Sequence, residues 1–443
     1  MLDTYTRYEK INFTTEINAL PQKLRYVLRD VSRIADDMGL FAYVVGGFVR
    51  DLILGARNLD IDIVIEGDAI EFAKKLLSRY TGKLIIHETF NTATMELKDS
   101  LKIDFAMARK EIYKHPAALP SIMTGGLEDD LYRRDFTINS MGIRLNKRGF
   151  GDIIDPYNGR WDLKCGIISV MHKLSFIEDP TRIMRAIRFE KRYGFGMSKL
   201  TQKLVEEAIN SGVLGLLSRE RIDSEFMAVL GEPHRALIFK RMRELGVFRE
   251  TYPEINFSSK VEKLLEDMEG ILEVFKERLK GKRTFDKILI YILILYSDTD
   301  LKTGEGHLEK IRFKKKYKNN ILSFANKKNN AFSRLSNLPI PSNYDVYNIL
   351  QGFSMEELFV LYMLSGCENM NNTIIRYINC YRNIKIHITG ADLKRMGVSP
   401  GPVYSFLFEK IRKERISGNF TTYDEELVFL ENAIQTMREN KEL

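Results

Sequence analysis

The feature that most limits what this chain can fold into is a change of hydrophobic period near Cys165. Between Phe41 and Cys165 the apolar residues come in short runs of strand length. These are AYVV (42–45), DIDIVI (60–65), KLIIHET (83–89), ATMELK (93–98) and LKIDFAMA (101–108), with helical stretches between the first three. Beyond Cys165 the spacing turns helical, through EDPTRIMRAIRFEKRYGF, TQKLVEEAIN, RERIDSEFMAVL, KVEKLLEDMEGILEVFKERL and GPVYSFLFEKIRKERI. A strand buries residues at every second position and a helix at every third or fourth, so the two stretches must build different architectures. The expectation is an α+β fold: a small domain with a mixed sheet and helices, followed by an all-helical remainder. Ahead of the first strand, Leu24, Val27, Leu28, Val31 and Ile34 predict an amphipathic helix that Gly39 stops.

Composition narrows the class without naming a function. At 443 residues and 44% hydrophobic the chain is too apolar to be disordered and long enough for several domains. Lys and Arg outnumber Asp and Glu by 68 to 60, a modest excess that favours a polyanionic partner without specifying one. Three scattered cysteines (Cys165, Cys367, Cys380) form no disulfide framework and have no metal-ligand spacing. The longest apolar run, Ile288 to Tyr296, is nine residues, against roughly 20 for a membrane span. The opening MLDTYTRYEK lacks the apolar core of a signal peptide, so a cytosolic protein is expected. A basic cluster between 310 and 328 reads either as a solvated helix face or as an RNA-backbone contact.

Three constellations carry chemistry. In VVGGFVRDLILGARNLDIDIVIEG (44–67) a strand runs into Gly46-Gly47 and then a helix bearing Arg50. Paired glycines let backbone amides approach an anion, although tight turns use such pairs too. Alternation then puts Asp60, Asp62 and Val64 on one strand face and the isoleucines on the other. Two carboxylates so placed repel unless a cation sits between them, and paired oxygen ligands on a rigid strand suit Mg²⁺. An exposed strand face whose acids happen to alternate is the competing reading. Asp104 would complete a cluster if its strand lies beside theirs; alone it reads as a satisfied edge residue. In LEDDLYRRDFTINSMG (127–142), Arg133-Arg134-Asp135 abuts an apolar segment, where an arginine can fork onto phosphate or tie a helix to the sheet. In FIEDPTRIMRAIRFEKRYGF (176–195), Glu178-Asp179-Pro180 predicts a helix start with Pro in the first turn. Arg182, Arg185 and Arg188 then sweep across one half of that helix, either for triphosphate and base contacts or as ordinary surface ion pairs.

Taken in order, GGFVRD with LDIDIVIEGDA, RRDFTINSMG, DPYNGRWDL, EDPTRIMRAIRFEKRYGF, RERIDSEF and ITGADLKRMGVSPGP resemble the class II tRNA nucleotidyltransferases. That family comprises CCA-adding enzymes with their CC-adding and A-adding relatives, and it groups with bacterial poly(A) polymerases. The resemblance implies a head (37–165), neck (166–232), body (233–330) and tRNA-binding tail (331–443), after a lead-in and helix at 1–36. It implies that Asp60 and Asp62 hold two Mg²⁺ ions, with Asp104 matching a further acid of the head. It places Gly46, Gly47, Arg50, Arg134, Asp135 and Asn139 at the incoming nucleotide. Asp179 and Arg182 match the pair that reads the edge of CTP or ATP, and Arg185 and Arg188 match nearby nucleotide contacts. Residues 109–113 match a mobile loop used in switching from C to A addition. The implied reaction adds CMP and AMP to the 3′ end of tRNA, the acceptor arm being the partner. Adding only A or only CC, poly(A) synthesis and an idle RNA-binding scaffold are the alternatives. The Gly-basic-basic-Phe signature of the poly(A) branch is missing between residues 66 and 105. INSMG and Asn91 depart from the family's usual INAMA and Gly; Asn tolerates positive φ best among non-glycine residues. Arg221 and Glu225 of RERIDSEF, at i and i+4, read as a brace between neck helices.

Overall fold

Residues 11–56, 60–98, 101–299, 308–337 and 342–440 are described by the computed structural model. The lead-in 1–10 lies outside them. The chain divides into two compact units, Met1–Tyr252 and Pro253–Leu443.

In the first unit every apolar run expected to be a strand is one: β1 Phe41–Val45, β2 Ile61–Glu66, β3 Gly82–His87, β4 Thr92–Leu97 and β5 Lys102–Met107. A separate antiparallel hairpin follows, β6 Arg109–Ile112 and β7 Ser121–Thr124. Then come β8 Gly142–Arg144 and β9 Ile153–Ile154. The main sheet has seven strands in the order β3-β4-β5-β2-β1-β8-β9. β2 lies parallel to β5 and antiparallel to β1. This register sets Asp62 opposite Asp104 on one side and Val45 on the other. The helix Gln22–Met38 buries Leu24, Val27, Leu28, Val31 and Ile34 and ends on Gly39 at φ 65°; each such side chain contributes about 1.5–3 kcal/mol. Asn91 takes φ 44°, as expected of the residue standing in for glycine, and its Oδ1 accepts from Ile70 N at 3.2 Å.

After the sheet the first unit is helical. Thr181–Tyr193 is followed by Lys199–Asn210, Arg219–Leu230 and Arg235–Glu244. The helix expected to begin near Glu178 begins at Thr181, with Pro180 at its N-cap rather than in its first turn. Asp179 stands between this helix and the short Ser175–Glu178 turn at φ −132° and ψ 89°, its N–H donating to the Ser175 carbonyl at 3.2 Å and its carbonyl accepting from Arg182 N at 3.1 Å.

The second unit is all helical among its described residues. Its helix Lys287–Leu295 is buried all round, which explains the longest apolar run. No described helix is long and apolar enough to cross a membrane. Its last part has a core of its own, in which Leu393, Leu407, Ile411, Leu430 and Ile434 meet. The basic cluster falls mostly on the helix Lys315–Asn337. Lys316 pairs with Asp286 at 3.0 Å, Lys327 with Glu357 at 3.1 Å, and Lys328 donates to the Ser297 carbonyl. Lys314 and Lys315 are exposed. Part of the run is thus internal bracing, which neither sequence reading anticipated.

Candidate active site

The three constellations converge on one cleft of about 800 Å³ in the first unit. Asp60 and Asp62 line it from the start of β2, and Asp62 stays open to solvent on one side while protein crowds the others. That partial loss of water raises the Asp62 carboxyl to about 6. Asp104, Asp60 and Asp130 add repulsion, and Arg134 opposes the rise. Asp104 does lie beside Asp62 in the sheet, but its Oδ1 accepts from Thr94 Oγ1 at 2.5 Å and it lies outside the cleft lining. Among the described residues no three His, Cys, Asp or Glu side chains close around one point. A cation here would therefore share its shell with substrate oxygens. The all-oxygen donor set and the crowded carboxylates fit Mg²⁺ in that role.

Gly46 explains the paired glycines. Its φ is 71°, and a Cβ there would fall 2.6 Å from Arg134 Nη1 and 3.6 Å from Asp62 Oδ2. Only glycine lets that guanidinium and that carboxylate face each other across the turn. Gly47 opens the helix Gly47–Ile53, which carries Arg50 and Asp51 into the cleft.

The cleft floor is a chain of alternating charges. Arg50, 5% exposed, forks onto Asp51 at 2.8 and 2.9 Å and reaches Asn139 Oδ1 at 2.6 Å. Asn139 Nδ2 donates to Asp135 Oδ1 at 2.9 Å, and Arg185 forks onto Asp135 Oδ2 at 2.9 and 2.7 Å. Burial alone would raise Asp135, but Arg185 and Asn139 outweigh it and hold the carboxyl below its ordinary value. Arg188 bridges Glu225 and Glu232 at 2.7 and 3.1 Å, and Arg192 forks onto Glu232. Arg182 and Arg188 are 4% and 9% exposed, so the arginine strip is an interior wall and not a surface face.

A second wall forms around Asp130, which accepts from Arg133 at 2.6 Å and from Arg134 at 2.9 Å. Those two cations overcome its burial and keep it ionised. Arg133 also meets Glu111, which accepts from Tyr113 Oη at 2.9 Å. Residues 109–113 thus belong to a hairpin strand and its exit, where no strand was expected.

In the same lining, Asp179 and Arg182 are neighbours without being hydrogen-bonded, Nε to Oδ2 being 4.0 Å. Arg182 instead donates to Ser175 Oγ at 2.8 Å and to the Arg133 carbonyl at 2.6 Å. The partner of Asp179 is Arg221, whose Nη2 lies 2.6 Å from Oδ1. Reading RERIDSEF as a brace between helices fits Glu225, which accepts from Arg188 of the helix Thr181–Tyr193 at 2.7 Å, but it did not name Asp179 as the acceptor of Arg221, because that contact spans 42 positions and no local spacing encodes it. Glu225 stands apart from Arg221 in another pair, with Arg188. The structure brings together Gly47, Arg50, Asp60, Asp62, Arg134, Asp135, Asn139, Asp179, Arg182, Arg185 and Arg188, places Gly46 behind Arg134, and leaves Asp104 one strand away.

A mixed sheet presenting paired acids to an arginine-walled cleft defines a nucleotidyltransferase head, and residues 42–169 match the Poly A polymerase head domain. Along its length the chain is 34% identical over 418 residues to an A-adding tRNA nucleotidyltransferase of Geobacter sulfurreducens, covering 92% of this chain and 47% of that protein. A second A-adding tRNA nucleotidyltransferase, from Halalkalibacterium halodurans, is 29% identical over 91% of both chains. Among solved structures, an apo CCA-adding enzyme superposes with a TM-score of 0.80 at 31% identity, covering 96% of this chain and 99% of the other. The Thermotoga maritima CCA-adding enzyme complexed with tRNA gives 0.78 at 30% identity over the same shares. The chain belongs to the class II CCA-adding family of tRNA nucleotidyltransferases. It spans about half the length of the Geobacter relative and nearly all of the Halalkalibacterium one.

Proposed function

We propose that the chain adds AMP, CMP or both to the 3′ end of tRNA without a nucleic-acid template. The terminal ribose oxygen attacks the α-phosphorus of ATP or CTP; the bond to the β-phosphate oxygen breaks and pyrophosphate leaves. The observation that carries the reading is the shared cleft, whose lining includes Asp60, Asp62 and Asp179 together.

In this reading Asp60 and Asp62 hold two Mg²⁺ ions, with Asp104 as a further acid beside them. When bound, magnesium supplies a lowered pKa for the attacking hydroxyl and charge neutralisation for the leaving phosphates. Gly46 and Gly47 bring backbone close to the phosphates, and Arg134 and Arg50 supply positive charge at phosphate and sugar. Asp135 and Asn139 hold Arg50 and Arg185 at a fixed spacing. Asp179 accepts from the exocyclic amino group that C and A share, and Arg182 donates to ring acceptors. U and G offer a carbonyl at the equivalent place and are refused. The basic helices of the second unit, with Lys410 and Lys413 exposed, would meet the tRNA backbone by shape. The division into head, neck, body and tail, and a cytosolic location, belong to the same proposal.

A second reading, addition of A alone, is favoured by one observation. Two A-adding relatives match over nine-tenths of the chain, whereas a CC-adding relative matches over 48% of it. The test supplies tRNAs ending before CCA, after C and after CC with CTP, ATP or both, and reads product lengths. Extension of the CC-ended tRNA by A alone selects the second reading. No extension of any of them removes both.

A further inference from the structure

We propose that Lys102 is a positioning residue for the second substrate: it receives the last phosphodiester of the tRNA on the sheet face beside the paired acids. The inference rests on the reaction proposed above, whose two substrates must meet at one phosphorus.

Strand alternation sorts the side chains of three neighbouring strands. On β4, Ala93, Met95 and Leu97 are buried, while Thr94 and Glu96 take the more open face. On β5, Ile103 and Phe105 are buried, while Lys102 and Asp104 face the open side. On β2 the same alternation buries Ile61 and Ile63 and exposes Asp62. Register joins these positions into rows, because directly paired residues share a face. One row runs Thr94, Asp104, Asp62. The next runs Lys83, Glu96, Lys102 and points at Asp60, one step before the Ile61–Ile103 pair. Lys102 Nζ lies 2.7 Å from Glu96 Oε1, and its side chain is 61% exposed. Glu96 holds the ammonium above its ordinary pKa, and Asp104 and Asp60 add to the effect from the same face.

Position relative to the acids gives Lys102 its task. Phosphoryl-type transfer proceeds in line, so the attacking oxygen and the departing pyrophosphate lie on opposite sides of the α-phosphorus. The cleft arginines stand on one side: Arg134 faces Asp62 across Gly46, just past the end of β1. Sheet order puts β1 and β5 on opposite sides of β2. The attacking ribose therefore arrives over β5, and the phosphodiester behind it passes Lys102. Lys102 is not part of the cleft lining, which leaves it clear of the triphosphate. An ammonium is a point charge that meets a phosphate without fixing its orientation. That suits a chain end that must move on after each addition.

The test measures kcat/KM for tRNA with the full chain, on the tRNA end that the wild type extends. It repeats the measurement with the same tRNA carrying a neutral methylphosphonate at its last internucleotide linkage. Lys102→Ala should lower kcat/KM for tRNA about fivefold and leave KM for the nucleotide unchanged. It should also flatten the salt dependence by about 0.7 in log–log slope. Lys102→Arg should keep the wild-type value, and Glu96→Gln, which removes an anion beside the path, should not lower it. The methylphosphonate should slow the wild type by the same factor and the alanine variant not at all. Melting temperatures check folding, and Lys102→Gln takes the place of an alanine variant that melts early. A methylphosphonate effect undiminished in the Lys102 variants overturns the inference. So does equal loss in Lys102→Ala and Glu96→Gln, which would make the pair a staple of the sheet. If the wild type extends no tRNA, the proposed reaction falls and this inference with it. If it extends tRNA and the Lys102 variants match it, only the role of the lysine falls.

Discussion

The cleft of the first unit and the basic helix Lys315–Asn337 of the second spend positive charge differently. In the cleft the cations are arginines held by forks: Arg185 is 35% exposed against an Asp135 at 8%, and Arg188 is buried against Glu232. On the helix they are lysines: Lys316, 63% exposed, lies beside Asp286, and Lys327 reaches both Glu357 and the Gly352 carbonyl through one ammonium. A planar fork loses little freedom per bond and fixes direction, whereas an ammonium on a flexible stem does neither. Of these two regions it is the cleft that holds its charges in fixed directions, where the proposed function puts the phosphates.

The largest expected effect breaks the cleft's chemistry outright. If Asp60 and Asp62 hold magnesium as proposed, Asp60→Ala or Asp62→Ala should reduce nucleotide incorporation by about 10³-fold or more while leaving tRNA binding intact, because the ion's charge stabilisation would go with its ligands. Radiolabelled ATP and CTP incorporation measures this; activity surviving in both variants would remove the metal assignment.

The next prediction sharpens the comparison as stability. Asp135→Ala removes the carboxylate onto which Arg185 forks, leaving it Glu225 at 3.9 Å, and Asn139 loses its acceptor; the change should cost about 1.5–3 kcal/mol. Lys316→Ala at its exposed pair should cost no more than about 1 kcal/mol. Urea denaturation of both variants decides it, and equal costs would abolish the distinction between the two regions.

The smallest effect concerns pH. The folded pKa of Asp62, about 6, lies above the ordinary carboxylate value near 4. The folded state then binds the proton more tightly, so the charge costs stability above pH 6 and costs nothing below pH 4. Asp62→Asn should raise the melting temperature at pH 8, with the gain fading as pH falls through 6. Over the same interval the wild type should need more Mg²⁺ for half-maximal activity. A flat melting difference from pH 4 to 8 would contradict both.

The strands were readable because β-branched runs such as IDIVI have no other comfortable place, and the helix Gln22–Met38 because its apolar spacing ends on a glycine. The paired acids were readable for the same reason, since alternation on a strand specifies a face. The hairpin was not: RKEI and SIMT are short and half polar, and their pairing leaves β6 exposed at alternate positions. The arginines of Thr181–Tyr193 were legible as a strip but not as an interior wall, because their acids come from Asp135, Glu225 and Glu232, far along the chain. Arg221 was legible as a brace, but its acceptors, Asp179 and the Ala117 carbonyl, were not, on the same account. Local spacing names the donor, and only the folded chain names the acceptor.

At Gly46 the spacing between a guanidinium and a carboxylate is maintained by a hydrogen atom where other residues carry carbon. One methyl group there would act as a wedge against Arg134, the cation that opposes the rise in the Asp62 pKa. The clearance at this turn is set by the smallest side chain available.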